Sequence, residues 1–486
     1  MSNNLALDFS LTDRAVIIMP AGCGKTELIA KSVSYSSNTD KRQLILTHTH
    51  AGVKSIYDRL KIFGVPQKNY YVDTIDGFSL QYTSAFPINS GLGYGFDPSS
   101  NEWDRVRNSA AEIFSQNCAK RIINASYCGL YVDEYQDCSL TQHQIILELA
   151  KLLPTRIVGD PLQGIFDFGN NRIVNWYTDV FPNFERLEKD NKWIPYRWLN
   201  KNEGLGQWLF EIREIIKREG TINFANLPNG VSWKFKTPSN QKAACKAKLN
   251  TAETAVAIHH LPNQAHRFAH DLGGSYLSMD ETESKELYSW LDKFEISQGT
   301  DRIIAVIDFA CACFVNVSTN LKPFKKMFTT GIFTITGRNK SFPLFTELSR
   351  INQSSDWKFV LSSMQLIASM ADAKLFRGDL WFGFYRVIYE KVLTGTDSSF
   401  KQIAWSLKIN EKIYGRKLAK HLVSRTLLIK GLEFDHAIIL DADVLNAKEL
   451  YVAMTRGTKS LTILSSSQSI KKNLPGDLFP PKNNQR

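Results

Sequence analysis

One short stretch near the N-terminus restricts the fold more than any other. Ala15-Val16-Ile17-Ile18 is an uninterrupted apolar run, the pattern of a strand buried on both faces. It runs into Met19-Pro20-Ala21-Gly22-Cys23-Gly24-Lys25-Thr26, and Glu27 to Lys31 then has helical character. Strand, glycine loop and helix in that order form a phosphate-binding loop. Gly22 and Gly24 allow backbone angles that other residues resist, and the amides of Gly22, Cys23 and Gly24 can surround phosphate oxygens. Lys25 is placed for the β and γ oxygens, and the Thr26 hydroxyl for Mg²⁺. The first glycine of the usual pattern is Met19 here.

More buried-strand candidates follow at Leu44-Ile45-Leu46, Gly129 to Val132 and Arg156-Ile157-Val158, with helical stretches at Val53–Leu60 and Gln142–Leu152 between them. Strands alternating with helices predict an α/β chain with a parallel sheet covered on both faces. A second α/β set begins near Ala255 to Ile258 and resumes at Ala437 to Leu440 and Leu461 to Leu464. The stretch between them, from Ile303 to Lys420, reads as mostly helical and rich in aromatics, so it is expected to be an insertion splitting the second core. From Ser465 onward the chain is polar and proline-bearing, and a loose tail is expected.

At the end of the Gly129–Val132 strand lies Asp133-Glu134-Tyr135-Gln136-Asp137. Adjacent carboxylates there can divide their work: Asp133 holds Mg²⁺, directly or through water, and Glu134 orients and deprotonates an attacking water. The next strand ends in Gly159-Asp160-Pro161-Leu162-Gln163, where Gln163 is within reach of a γ-phosphate.

In this order the motifs resemble those of the UvrD/Rep-like branch of helicase superfamily 1. Leu46-Thr47-His48-Thr49-His50-Ala51 and Val72-Asp73-Thr74-Ile75-Asp76-Gly77-Phe78 are similar to its two segments that contact single-stranded DNA. The resemblance implies DNA contacts at Thr47, His48 and Thr74, and base stacking on Phe168. Tyr196-Arg197 resembles the motif whose tyrosine stacks on adenine and whose arginine contacts the γ-phosphate. Lys430-Gly431-Leu432-Glu433-Phe434 resembles the one whose glutamate approaches the ribose, and Leu450-Tyr451-Val452-Ala453-Met454-Thr455-Arg456 the one that carries the arginine finger.

The resemblance implies two RecA-like parallel-sheet P-loop cores with helical insertions. The first core would span 1–195, with a short insertion at about 82–126, and the second 196–302 plus 421–466. The helical insertion would then be 303–420 and the flexible tail 467–486. ATP and Mg²⁺ are the implied cofactors. Single-stranded DNA or DNA ends are the implied partner, and a 3′–5′ DNA motor is the implied activity.

Compact UvrD-like subunits of Gabija-type anti-phage systems share this size and the Thr74-to-Phe78 form T-x-D-G-F. That likeness implies a second reading, a DNA- or nucleotide-sensing ATPase that controls a partner nuclease. Three departures bear on function: no glutamine stands before Ala15 to read adenine, Gly169 follows Phe168 where arginine is usual, and Arg425 and Leu427 replace the threonine and histidine of T-x-H.

Composition agrees with a globular chain that meets a polyanion. The 486 residues are 43% hydrophobic and 22% charged, with a formal charge of +11. Seven scattered cysteines make no disulfide framework, and the start MSNNLALDFSLTDR has no leader pattern. No apolar run approaches the roughly 18 residues of a membrane span, so a reduced, cytoplasmic setting is expected. His259, His260, His266 and His270 lie close in sequence but lack a matching acid or cysteine set, and they read as polar surface.

Overall fold

A computed structural model describes residues 3–36, 40–96, 98, 102–166, 172–187, 193–249, 252–279, 285–333, 342–414 and 419–474, without the side chains of 3–4 and 408–414. Strands β1 (Arg14–Ile18), β2 (Arg42–Thr47), β3 (Tyr70–Thr74), β4 (Tyr127–Val132), β5 (Thr155–Gly159) and β6 (Glu185–Arg186) form one sheet in the order β3-β2-β4-β5-β1-β6. Every pairing in it is parallel. Side chains alternate across the strands, so Val16, Leu44, Leu46, Leu130 and Ile157 enter one apolar layer. Ala15, Ile17, Ile45, Tyr131 and Val158 enter the other. Both faces are covered, which explains why these strands are continuous apolar runs.

The remaining strands are β7 (Thr221–Asn223), β8 (Val231–Phe235), β9 (Ala255–His259), β10 (Leu277–Ser278), β11 (Phe314–Val315), β12 (Lys374–Leu375), β13 (His421–Arg425), β14 (Phe434–Ile439), β15 (Gly457–Ser465) and β16 (Ser469–Lys471). Six of them form a second parallel sheet in the order β10-β13-β9-β14-β15-β8. The same alternation sends Val256, Ile258, Ala437 and Ile439 to one layer and Ala255, Ala257, Ile438 and Leu440 to the other. The chain is therefore α/β, with two six-stranded parallel sheets flanked by helices. This is the architecture expected of two RecA-like cores.

Among the described residues, seven helices between Lys285 and Tyr414 share a separate apolar core built on Phe294, Phe309, Trp381 and Phe384. Here the structure differs from the sequence reading. The helical unit begins at the Lys285–Ile296 helix rather than at Ile303, because Leu287, Trp290, Leu291 and Phe294 belong to its core. The tail also differs. β16 pairs antiparallel with β7, and Ile470 and Leu474 are buried, so residues 469–474 are part of the fold. Residues 475–486 lie outside the described ones. No helix among the described residues is long and apolar enough to cross a membrane.

Candidate nucleotide site between the two sheets

Parallel strands bring all their carboxyl ends to one edge, where α/β sheets bind ligands. At that edge β1 enters the phosphate loop, and Met19 N donates to Gly159 O of β5 at 2.9 Å. Gly22 and Gly24 have φ of +71° and +89°, the left-handed region that glycine tolerates best. Space also requires glycine at position 22, since a Cβ there would lie 2.5 Å from Cζ3 of Trp198. The Lys25–Tyr35 helix starts directly after Gly24 and points its free amides at the loop. Lys25 is buried, with its Nζ 3.4 Å from Met19 O. Cys23 is buried too, and burial pushes its thiol up to about 12, so it is no thiolate near neutral pH.

The acidic motif follows β4 directly. Thr26 Oγ1 donates to Asp133 Oδ2 at 3.1 Å, which joins the loop to the carboxylate. Burial, and then the charge of Glu134, push Asp133 up to about 7. For Glu134 burial opposes ionisation, but Lys25 and Lys430 outweigh it and hold the carboxyl at about 2. Glu134 also has φ of +54°, a costly conformation for a side chain with a Cβ. Its carboxylate is held by Gln136 Nε2 at 2.5 Å. The two acids thus differ in setting: two lysines keep Glu134 ionised, and Asp133, buried beside that charge, is pushed toward its protonated form.

The second sheet closes the site. Arg197 N donates to Gly22 O at 3.1 Å, and its side chain reaches Glu433 Oε1 at 2.8 Å and Thr455 O at 2.9 Å. Glu433 is held below the usual carboxylate range by Arg197 although burial opposes this. Tyr196 is 37% exposed. Trp198 is buried and donates from Nε1 to Gly457 O at 2.8 Å. Arg456 is 1% exposed, and its hydrogen bonds go to Val452 O, Leu432 O and Thr455 Oγ1, none of them a carboxylate. Burial first, and then the neighbouring Arg197, push this guanidinium down to about 9. A buried cation beside a second cation, hydrogen-bonded only to neutral groups and with Glu134 and Glu433 acting on it through space, is a site suited to an anion.

Two more links join the sheets, and motif reading missed both. Lys430 Nζ contacts both oxygens of Asp137 at 2.5 Å, donates to Gln163 O, and stands 4.9 Å over the Phe166 ring. Arg213 of the Glu203–Lys217 helix pairs with Asp160 at 2.6 Å, and Gln163 Nε2 donates to the same carboxylate at 2.8 Å. Lys430 stood within a recognised motif but had no assigned partner. Arg213 carried no signal, because a charged residue in an amphipathic helix ordinarily faces solvent.

Of the residues expected to meet DNA, Thr47, His48 and Thr74 lie along the same edge. Thr47 and Thr74 are register partners at the ends of β2 and β3, and both are buried. Thr74 caps the Ile75–Ala85 helix by accepting from Gly77 N at 2.9 Å, and Thr49 caps the His50–Ile62 helix. Two helix N-termini therefore open side by side. His48 has Nε2 3.4 Å from Cys138 Sγ, and burial lowers it to about 4, so its ring is neutral near pH 7. Asp76 is paired with Arg107 at 2.7 Å and accepts from Gln142 at 2.9 Å. Phe168 and Gly169 lie outside the described residues. Among the four histidines, His266 Nδ1 is 2.8 Å from Ser278 Oγ, and His270 stands edge-on to Phe376.

Comparison with known proteins gives one family match: residues 4–169 match an AAA domain. No curated protein matches the chain. Among solved structures, the crystal structure of Pif1 helicase from Candida albicans aligns over 96% of this chain and 94% of its own, at 11% identity and a TM-score of 0.40. The stretch that matches the AAA domain contains the phosphate loop, the acidic pair and Gln163. The arginines that face them come from the chain beyond it.

Proposed function

We propose that the chain is an ATP-hydrolysing motor that moves along single-stranded DNA in the 3′–5′ direction, with helicase activity as its output. The observation that carries this reading is the division of one site between two sheets. The phosphate loop and acidic pair lie at the first, and Arg197 and Arg456 are tied to the second through Thr455 O and Leu432 O.

The donor set fits Mg²⁺, because the Thr26 hydroxyl and the Asp133 carboxylate are hard oxygens 3.1 Å apart. Mg²⁺ held there by Thr26 and Asp133 would supply charge neutralisation at the phosphates. Every other task falls to the protein. Lys25 and the loop amides of Gly22, Cys23 and Gly24 grip phosphate, Tyr196 stacks on the base, and Glu433 approaches the ribose. Glu134 takes the proton of the attacking water, and Gln163, Arg197 and Arg456 meet the charge that develops at the γ-phosphate. An arginine delivered to that charge is worth roughly 10³–10⁵ in rate, so turnover depends on how the second sheet is seated. A strand lying across both sheets would be shifted by each cycle of seating and release. Thr47, His48, Thr74 and Phe168 are the proposed contacts to that strand, joined by the two helix N-termini at its phosphates.

The partner-controlled reading, an ATPase subunit that governs a nuclease in anti-phage defence, has one observation in its favour. Arg425 and Leu427 stand where the resembled family couples DNA to ATP through threonine and histidine. Steady-state ATP hydrolysis with and without single-stranded DNA, followed by strand displacement on 3′- and 5′-tailed duplexes, separates the two. The motor reading predicts strong stimulation and displacement from the 3′ tail alone. Turnover indifferent to DNA would move the assignment to the partner-controlled form, and no turnover at all would overturn both.

A further inference from the structure

Among the described residues, the most deeply buried ion pair between the two halves of the site lies behind the proposed catalytic groups rather than among them. Arg213 NH1 donates to Asp160 Oδ1 at 2.6 Å and Oδ2 at 2.8 Å, and the two side chains are 4% and 0% exposed. Arg213 also reaches Tyr451 Oη at 3.5 Å and stands 5.6 Å over that ring. Its helix packs through Leu205, Trp208, Leu209, Ile212 and Ile216 into the apolar layer that contains Val256, Ile258, Ala437 and Ile439 of the second sheet. Asp160 follows β5 of the first sheet. The pair therefore records whether the two sheets are seated against each other.

Asp160 is the hub of a continuous set of hydrogen bonds. Its carboxylate accepts from Gln163 Nε2 at 2.8 Å and Leu162 N at 3.2 Å. Its backbone N donates to Gln136 Oε1 at 2.8 Å, and Gln136 Nε2 in turn donates to Glu134 Oε2 at 2.5 Å. A carboxylate paired with a guanidinium offers only acceptors, so it selects the nitrogen end of the Gln163 amide. An amide nitrogen has two hydrogens, and with one given to Asp160 the other is left for a phosphate oxygen. The opposite rotamer would turn the Gln163 oxygen toward Asp160, a repulsive arrangement. Gln136 is fixed by the same logic, since its oxygen meets an N–H and its nitrogen meets a carboxylate.

We propose that Arg213 is a positioning residue for ATP hydrolysis, orienting Gln163 through Asp160 and making that orientation depend on the seating of the second sheet. This rests on the motor reading above and extends it to a residue outside the recognised motifs. The test is a double-mutant cycle on the full chain, reading kcat and KM for ATP with single-stranded DNA, and ATP affinity by a fluorescent analogue. Arg213→Met is expected to lower kcat about tenfold or more with little change in KM, a size seen for coupling residues that touch no ligand. Arg213→Lys should recover part of the loss.

Leaving Asp160 unpaired endangers folding, so Asp160→Asn/Arg213→Met removes the pair as a unit. An asparagine can present either its oxygen or its nitrogen to Gln163, and this variant is expected to fold, bind ATP and remain slow. Adding Gln163→Ala to Arg213→Met should cost nothing further, because both act on one step. Wild-type kcat in the paired variant would overturn the proposal. So would independent, multiplicative losses, or a rise in KM at constant kcat. If Gln163→Ala alone is slow while the Arg213 variants are not, the positioning role falls and the motor reading stands. If the wild-type chain hydrolyses no ATP, the motor reading itself falls.

Discussion

At Glu134 an unfavourable backbone angle and an unusual electrostatic setting meet in one residue. A φ of +54° costs of order 1–3 kcal/mol at a residue other than glycine. That strain is retained where a carboxylate adjoins Asp133 and is held ionised by Lys25 and Lys430 against its own burial. Glu134→Gln keeps the shape and the Gln136 contact but loses the base. It is predicted to bind ATP within a few-fold of wild type and to lose about 10²–10⁴ in turnover, as read by nucleotide titration beside single-turnover hydrolysis. Undiminished turnover would remove Glu134 from the base role. The residues proposed for chemistry at one strand end could be singled out in the sequence because phosphate loops and paired acids need fixed neighbours. Arg213 could not, since its partner Asp160 lies 53 residues away and only folding brings the two together.

At the scale of elements, the Asp76–Arg107 pair joins the Ile75–Ala85 helix to the Trp103–Ser115 helix of the short insertion. Burial opposes the charge on Asp76, but Arg107 and Gln142 outweigh it and hold the carboxyl below its ordinary value. A depressed folded value contributes stability that is fully present above the unfolded carboxylate value of about 3.9 and is lost as pH falls below it. The melting temperature of Asp76→Asn should therefore lie below wild type at neutral pH by the equivalent of about 1 kcal/mol, and the gap should narrow below about pH 4. A gap that stays constant down to pH 2 would contradict the assignment.

Elements were legible in proportion to burial on both faces. β1, β2, β4, β5, β9, β14 and β15 each contain an apolar run read from sequence. β3 alternates buried with half-buried positions, and β8 has only Val231 fully buried, so neither formed such a run. β16 was missed because a short polar strand at a chain end takes its identity from its partner, β7. The helical unit was placed too late because Lys285–Ile296 has charged residues outside and apolar ones inside, a pattern that does not show which core it joins.

For the whole molecule, the formal charge of +11 bears on the proposed contact with a single strand. If three to six phosphates are neutralised, the logarithm of single-strand affinity should fall linearly with the logarithm of salt, with a slope between roughly −2 and −4. A salt-indifferent affinity would rule out backbone neutralisation. The larger claim is that neither sheet hydrolyses ATP alone. It is tested most directly by Arg456→Ala in the full chain, with ATP binding and single-turnover hydrolysis measured on the same sample in the presence of single-stranded DNA. The account predicts binding within a few-fold of wild type and turnover reduced by about 10³ or more. Turnover within about tenfold of wild type would mean that the first sheet completes the reaction by itself, and the shared site would have to be abandoned.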